Sequence, residues 1–123
     1  MAGKNFFSGL GYLVLLMIQR LDGTGYGVSI HLQLCELTGE QLAYGAIYKV
    51  LKTLSAKNYI TPSKGEPTRE RGGRAKTFYR ITRTGLQALE DFETHITRIK
   101  RDTPITRLNG GNNATWKETG QKQ

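Results

Sequence analysis

The side chains best able to do chemistry are basic, and they cluster. Between positions 61 and 85 stand Lys64, Arg69, Arg71, Arg74, Lys76, Arg80 and Arg83, opposed only by Glu66 and Glu70. This stretch holds +5 of the chain's net charge of +8. Guanidinium and ammonium groups neutralise phosphates, and a localised basic stripe is the footprint of a polyanionic partner. A solvated loop that only aids solubility is the competing reading of the charge alone. The stretch is glycine-rich and lacks an amphipathic helical pattern, which disfavours a membrane surface. A second group, Tyr44, Tyr48, Lys49, Lys52 and Lys57, falls upstream, off the apolar stripe of one helix.

Other chemistries find no support. Cys35 is the only cysteine, so no intramolecular disulfide and no cysteine-based zinc site can form. His31 and His95 are far apart in sequence, and no metal ligand set is expected. No nucleophile has a base nearby, and no phosphate-binding Gly-x-x-x-x-Gly-Lys motif is present. The expectation is therefore no enzyme, no catalytic residues and no cofactor. Glu90, Asp91 and Glu93 read as a solvated helix face. The longest apolar run, 13–18, is too short to span a membrane. Gln19, Arg20 and Asp22 follow it with no small-x-small cleavage site, so it reads as a buried helix of a cytoplasmic protein.

The elements that must position the basic groups follow from periodicity. At 123 residues the chain is one domain with short extensions. A helix is predicted over 6–21, apolar on most faces and so buried or shared with another subunit. The turn cluster Asp22-Gly23-Thr24-Gly25 stops it. A second helix, 26–38, carries Ile30, Leu34 and Leu37 on one face, and Gly39 suits its end. A third, 44–57, has the stripe Ile47, Leu51 and Leu54, and Asn58 can close it in the left-handed conformation. Two strands follow. The first begins at Tyr59-Ile60-Thr61 with Pro62 placing it at an edge, and the second is Thr77-Phe78-Tyr79-Arg80-Ile81-Thr82. The loop between them ends in Arg71-Gly72-Gly73-Arg74. Thr82 or Thr84 can cap a fourth helix reaching Arg101, with the seam Leu86, Leu89, Phe92, Ile96 and Ile99. Beyond it the composition turns polar and glycine-rich, the mark of a flexible tail.

Three helices, a basic hairpin and a further helix make a mainly α (α+β) fold, a winged helix-turn-helix with a C-terminal dimerisation helix. Its boundaries are expected at 1–82 for the DNA-binding domain, 83–101 for the dimerisation helix and 102–123 for the tail. In such folds the second helix of the pair enters the major groove. Tyr44, Tyr48, Lys49 and Lys52 are therefore the expected recognition-helix contacts to double-stranded DNA, and Arg71, Gly72, Gly73, Arg74 and Lys76 the wing contacts. Tyr44 faces either a base or solvent, and Tyr48 packs its ring under the wing while its exposed hydroxyl donates to a phosphate. Arg80 points to DNA or pairs with a carboxylate. Tyr26 reads as packing, His31 as a surface helix residue and Cys35 as a small buried hydrophobe. One small domain cannot easily cover both the fourth-helix seam and the first helix. A homodimer is therefore expected, using Phe6, Leu10, Leu13, Leu86, Leu89, Phe92, Ile96 and Ile99.

Three segments together resemble the PadR family of bacterial transcription regulators, over about residues 8–100. They are Gly23-Thr24-Gly25-Tyr26-Gly27-Val28-Ser29-Ile30, then Gly45-Ala46-Ile47-Tyr48-Lys49-Val50-Leu51-Lys52-Thr53-Leu54, then Gly65-Glu66-Pro67 with Arg71-Gly72-Gly73-Arg74-Ala75-Lys76 and Tyr79-Arg80-Ile81-Thr82 before Gly85. The resemblance implies a homodimeric repressor whose Tyr48, Lys49, Arg74 and Lys76 touch operator DNA. It is closest to the branch with a single C-terminal helix. Some members of that branch sense planar drugs through a tryptophan on the last helix, where this sequence offers only Phe92, Trp116 lying in the expected tail. Ala43 stands where a capping serine is common. The competing readings are a small-molecule sensor with its effector at the dimer interface and a winged-helix module that binds protein.

Overall fold

The computed structural model describes residues 6–65 and 76–102. Ser8 starts the first helix, α1 (Gly9–Leu21), by accepting the Gly11 N–H on its hydroxyl at 2.9 Å. The helix therefore begins three residues later than its apolar pattern suggests. Phe6 and Phe7 precede it and pack their rings against Phe92, at 6.3 and 5.2 Å between centroids. Asp22 ends α1 in the left-handed conformation, its N–H donating to the Ile18 and Gln19 carbonyls.

The turn cluster hides a strand. β1 (Gly25–Tyr26) is two residues long, too short to show any alternation in sequence. It leads directly into α2 (Gly27–Thr38), which Gly39 closes at φ 74°. The third helix, α3 (Tyr44–Ala56), ends at Lys57, and Asn58 then takes φ 66° as its type allows. β2 (Ile60–Lys64) and β3 (Thr77–Ile81) pair antiparallel, Thr61 opposite Arg80 and Pro62 opposite Tyr79. The sheet order is β1-β3-β2, so Pro62 lies on an edge strand, where its missing N–H is harmless. The fourth helix, α4 (Arg83–Arg101), completes a winged helix-turn-helix.

The stripes read from periodicity supply most of the core, but Leu37, expected on the buried face of α2, is 58% exposed near the end of that helix. Val14, Leu15 and Ile18 of α1 meet Ile30 and Leu34 of α2 and Ile47, Leu51 and Leu54 of α3, with Ile60 and Leu89 closing one end. Each such side chain contributes roughly 1.5–3 kcal/mol on burial. Leu89, expected on the subunit seam, is already buried inside its own chain at 2 % exposure. Leu13 and Leu86 stay exposed. Packing divides the molecule after Phe92. In the second unit the described turns of α4 carry Ile96, half-buried, and Ile99, exposed. Among the described residues no helix is long and apolar enough to cross a membrane. The expected tail, apart from Asp102, lies outside the described residues.

Thr82 caps α4, its hydroxyl accepting the Gly85 N–H at 2.9 Å. A methyl group at Gly85 would overlap the backbone carbonyl of Tyr59. Backbone cannot swing aside as a side-chain tip can, so Gly85→Ala should cost about 2–3 kcal/mol. Urea denaturation should show this as a lowered midpoint with an unchanged slope.

Candidate nucleic-acid interface

The connection between α2 and α3 fixes where α3 starts. Ala43 has no side-chain cap to offer the first N–H groups of α3. The chain is held instead one residue earlier, at Leu42. The His31 ring nitrogen Nε2 lies 2.6 Å from the Leu42 carbonyl oxygen, so this nitrogen carries the proton and donates. Cys35, one helical turn on, accepts the Leu42 N–H on its sulfur at 3.5 Å. Both differ from the sequence expectation. His31 is a tie between helices and not a free surface residue, and Cys35 is half-buried with a polar contact.

His31 also meets the edge of Tyr44, ring centroids 5.5 Å apart and planes at 80°. Tyr44 in turn stacks on Tyr48 at 6.3 Å and 25°. The Lys52 ammonium stands 5.8 Å from the Tyr48 ring centre. Tyr44, Tyr48, Lys49 and Lys52 therefore share the exposed face of α3, opposite the buried Ile47, Leu51 and Leu54. A face of this kind presents two phenols and two ammonium groups to solvent, which suits phosphates and base edges.

The wing contributes Lys76, exposed, with its ammonium 4.7 Å from the centre of the Tyr26 ring. Such a cation–π contact contributes about 0.5–1 kcal/mol at an exposed position. Arg71, Gly72, Gly73 and Arg74 lie outside the described residues. Arg80 takes the carboxylate option: its guanidinium donates to Asp22 at 3.3 Å. Both side chains of that pair are largely exposed, so it contributes at most about 1 kcal/mol.

Sequence reasoning missed how the tyrosines gather. Tyr26, Tyr44, Tyr48 and Tyr79 line a cleft of about 380 Å³ where α2, α3 and β3 meet, with Lys76 also on its wall. Thr77 and Tyr79, two apart on one face of β3, both reach it. That alternation was the one available signal for Tyr79. Burial pushes the Tyr79 phenol above its ordinary value of 10.0, and the neighbouring Tyr48 and Tyr44 add to the rise. Among the described residues no three His, Cys, Asp or Glu side chains converge to hold a metal.

With this geometry in view, the chain can be set beside known proteins. The sequence profile of the transcriptional regulator PadR-like family matches residues 14–91. No curated protein is significantly similar in sequence. Solved structures share the fold. A PadR family transcription regulator from Clostridium difficile superposes with a TM-score of 0.63 at 22% identity, covering 82% of this chain and 98% of its own. A PadR-like transcriptional regulator from Bacillus cereus gives 0.64 at 21%, over 84% and 93%. A PadR family regulator from Eggerthella lenta gives 0.59 at 20%, over 84% and 85%.

Two measurements test the scaffold of this face. His31→Ala removes the tie to Leu42 and should cost about 1 kcal/mol of stability. It should also speed hydrogen exchange in the first turn of α3 more than in α1. The second measurement concerns Tyr79. The folded chain holds its proton more tightly than the unfolded chain does. Its contribution is thus complete below about pH 10 and is lost as the pH rises through the raised value. Denaturation followed against pH should show stability falling in that alkaline range, and Tyr79→Phe should make the fall shallower.

Proposed function

This chain belongs to the PadR-like family of transcriptional regulators, and from that premise we propose that it is a sequence-specific repressor, acting in the cytoplasm as a homodimer on a pseudo-palindromic operator. The family is one of regulators and not of enzymes, and DNA binding follows from it. The observation that carries the proposal is the exposed face of α3, where Tyr44, Tyr48, Lys49 and Lys52 stand together beside Lys76.

The dimer is argued from apolar surface. Leu13 and Leu86 are each 37% exposed, Phe6 54% and Ile99 75%. Side chains of this size left in water favour a second copy. Leu10, Phe92 and Ile96 are half-buried and contribute flanking area, while Leu89 supports α4 from within. A two-fold axis would set two copies of α3 about 10 base pairs apart, or a multiple of that, and so demand a matching repeat in the operator. The wing residues Arg71, Gly72, Gly73 and Arg74 would add contacts to the phosphate backbone or the minor groove.

Fluorescence anisotropy with duplex from upstream of the protein's own gene, against scrambled duplex, tests the reading. A preference of about 10³-fold or more is expected. Lys49→Ala should weaken both duplexes and reduce the salt slope by about 0.9. Equal, weak binding to both duplexes would count against specificity at that locus. An unchanged slope would displace Lys49 from the interface. Sedimentation should give about twice the 13.8 kDa of the chain.

A further inference from the structure

We propose that the cleft lined by Tyr26, Tyr44, Tyr48 and Tyr79 is a seat for a backbone phosphate of DNA whose hydrogen bonds come from phenols, with Lys76 on its wall. The inference rests on the DNA-binding reading above and adds to it how part of the affinity is made. The cleft takes a ligand that accepts several hydrogen bonds and carries negative charge.

Four observations point there. First, the phenols are placed for a partner they do not have in the chain. Tyr44 and Tyr48 are 42% and 49% exposed, and among the described residues no protein group hydrogen-bonds the hydroxyls of Tyr44, Tyr48 or Tyr79. Second, the Tyr44 hydroxyl reaches the first residue of α2. A methyl group at Gly27 would sit 2.8 Å from it, so glycine there keeps the cleft open. Third, among the described residues no carboxylate lines the cleft, and cations flank it. The Lys76 ammonium lies over the Tyr26 ring and the Lys52 ammonium over the Tyr48 ring. Fourth, the Tyr79 phenol stays protonated, since burial holds it above its ordinary value. At neutral pH it is a donor, the polarity that phosphate oxygens require.

Phosphate is favoured over a base edge by position. The cleft is the corner between α2, α3 and β3, and not the middle of the exposed helix face that would enter a groove. Neutral phenol donors have a distinct physical signature. Counterion release scales with the number of phosphates met by cations. Hydrogen bonds from phenols displace no counterions and persist at high salt.

The test uses the full chain and the same two duplexes across a salt series. The triple variant Tyr44→Phe, Tyr48→Phe, Tyr79→Phe keeps every ring and removes three hydroxyls. Its affinity should fall about 10–100-fold on both duplexes, with the salt slope unchanged. Lys49→Ala should instead flatten the slope. Duplexes carrying single neutral methylphosphonates then locate the contact. At one phosphate per half-site the substitution should weaken the wild type and leave the triple variant unaffected. Unchanged affinity of the triple variant, a flattened slope, or a loss confined to one sequence would each overturn the seat while leaving DNA binding intact. A wild type that binds no duplex at low salt would instead remove the DNA reading itself, and the seat with it. Should the triple variant fail to melt cooperatively, Tyr44→Phe and Tyr48→Phe singly, both on the exposed face, carry the same comparison.

Discussion

The backbone carbonyl of Tyr59 is the point on which the geometry turns. It accepts the Thr82 N–H at 2.9 Å, while the Thr82 hydroxyl donates to the neighbouring Asn58 carbonyl at 2.7 Å, and it lies against Gly85 so closely that no side chain fits there. The same residue donates its own N–H to Leu54, closing α3. One residue thus ends α3 through its N–H, while its carbonyl oxygen receives the end of β3 and abuts the first turn of α4. A buried carbonyl left without a donor would be costly, and here the Thr82 N–H supplies one. The wing strands hang between these two ties. Their register, Ile60 opposite Ile81, follows from where the ties sit.

The other end of α3 is held by a different device. A helix beginning at Tyr44 after Ala43 forgoes a side-chain cap worth about 1 kcal/mol. His31 and Cys35, one turn apart on α2, grip both polar groups of Leu42 and restore the constraint one residue earlier. The arrangement has a consequence for the surface. His31 also meets Tyr44, and Tyr44 stacks on Tyr48, so the tie that fixes the helix start orients the first two aromatic side chains of its exposed face.

Much of this was legible in the sequence because it is local. The stripe Ile47, Leu51, Leu54 fixes which side of α3 is buried, and therefore which side shows Tyr48 and Lys49. Gly39, Asn58 and Pro62 stand where a left-handed turn or a strand edge needs those residue types. The illegible parts are tertiary. β1 exists only because β3 passes beside Gly25 and Tyr26. The periodicity of α1 extends to Phe6, but Ser8 captures the Gly11 N–H and the phenylalanines turn aside to Phe92. Arg80 meets Asp22 across 58 positions, a partner that no window of sequence could show. The tyrosine cleft belongs to the same class, since its four members come from β1, α3 and β3.

Charge and shape divide the work of such a surface. Basic groups concentrated in one short stretch draw a polyanion from a distance, an attraction that salt screens within about 10 Å. They are poor at fixing orientation, because a lysine ammonium is a mobile point charge. The phenols of α3 and β3 have the complementary properties. Their range is one hydrogen bond, but their rings are locked by stacking, by the hold on Leu42 and by the sheet register. A DNA backbone drawn in by the wing would therefore be placed by the tyrosines. The angle at which α3 meets the groove would then depend on elements held at Leu42 and Tyr59, both of them away from the DNA itself.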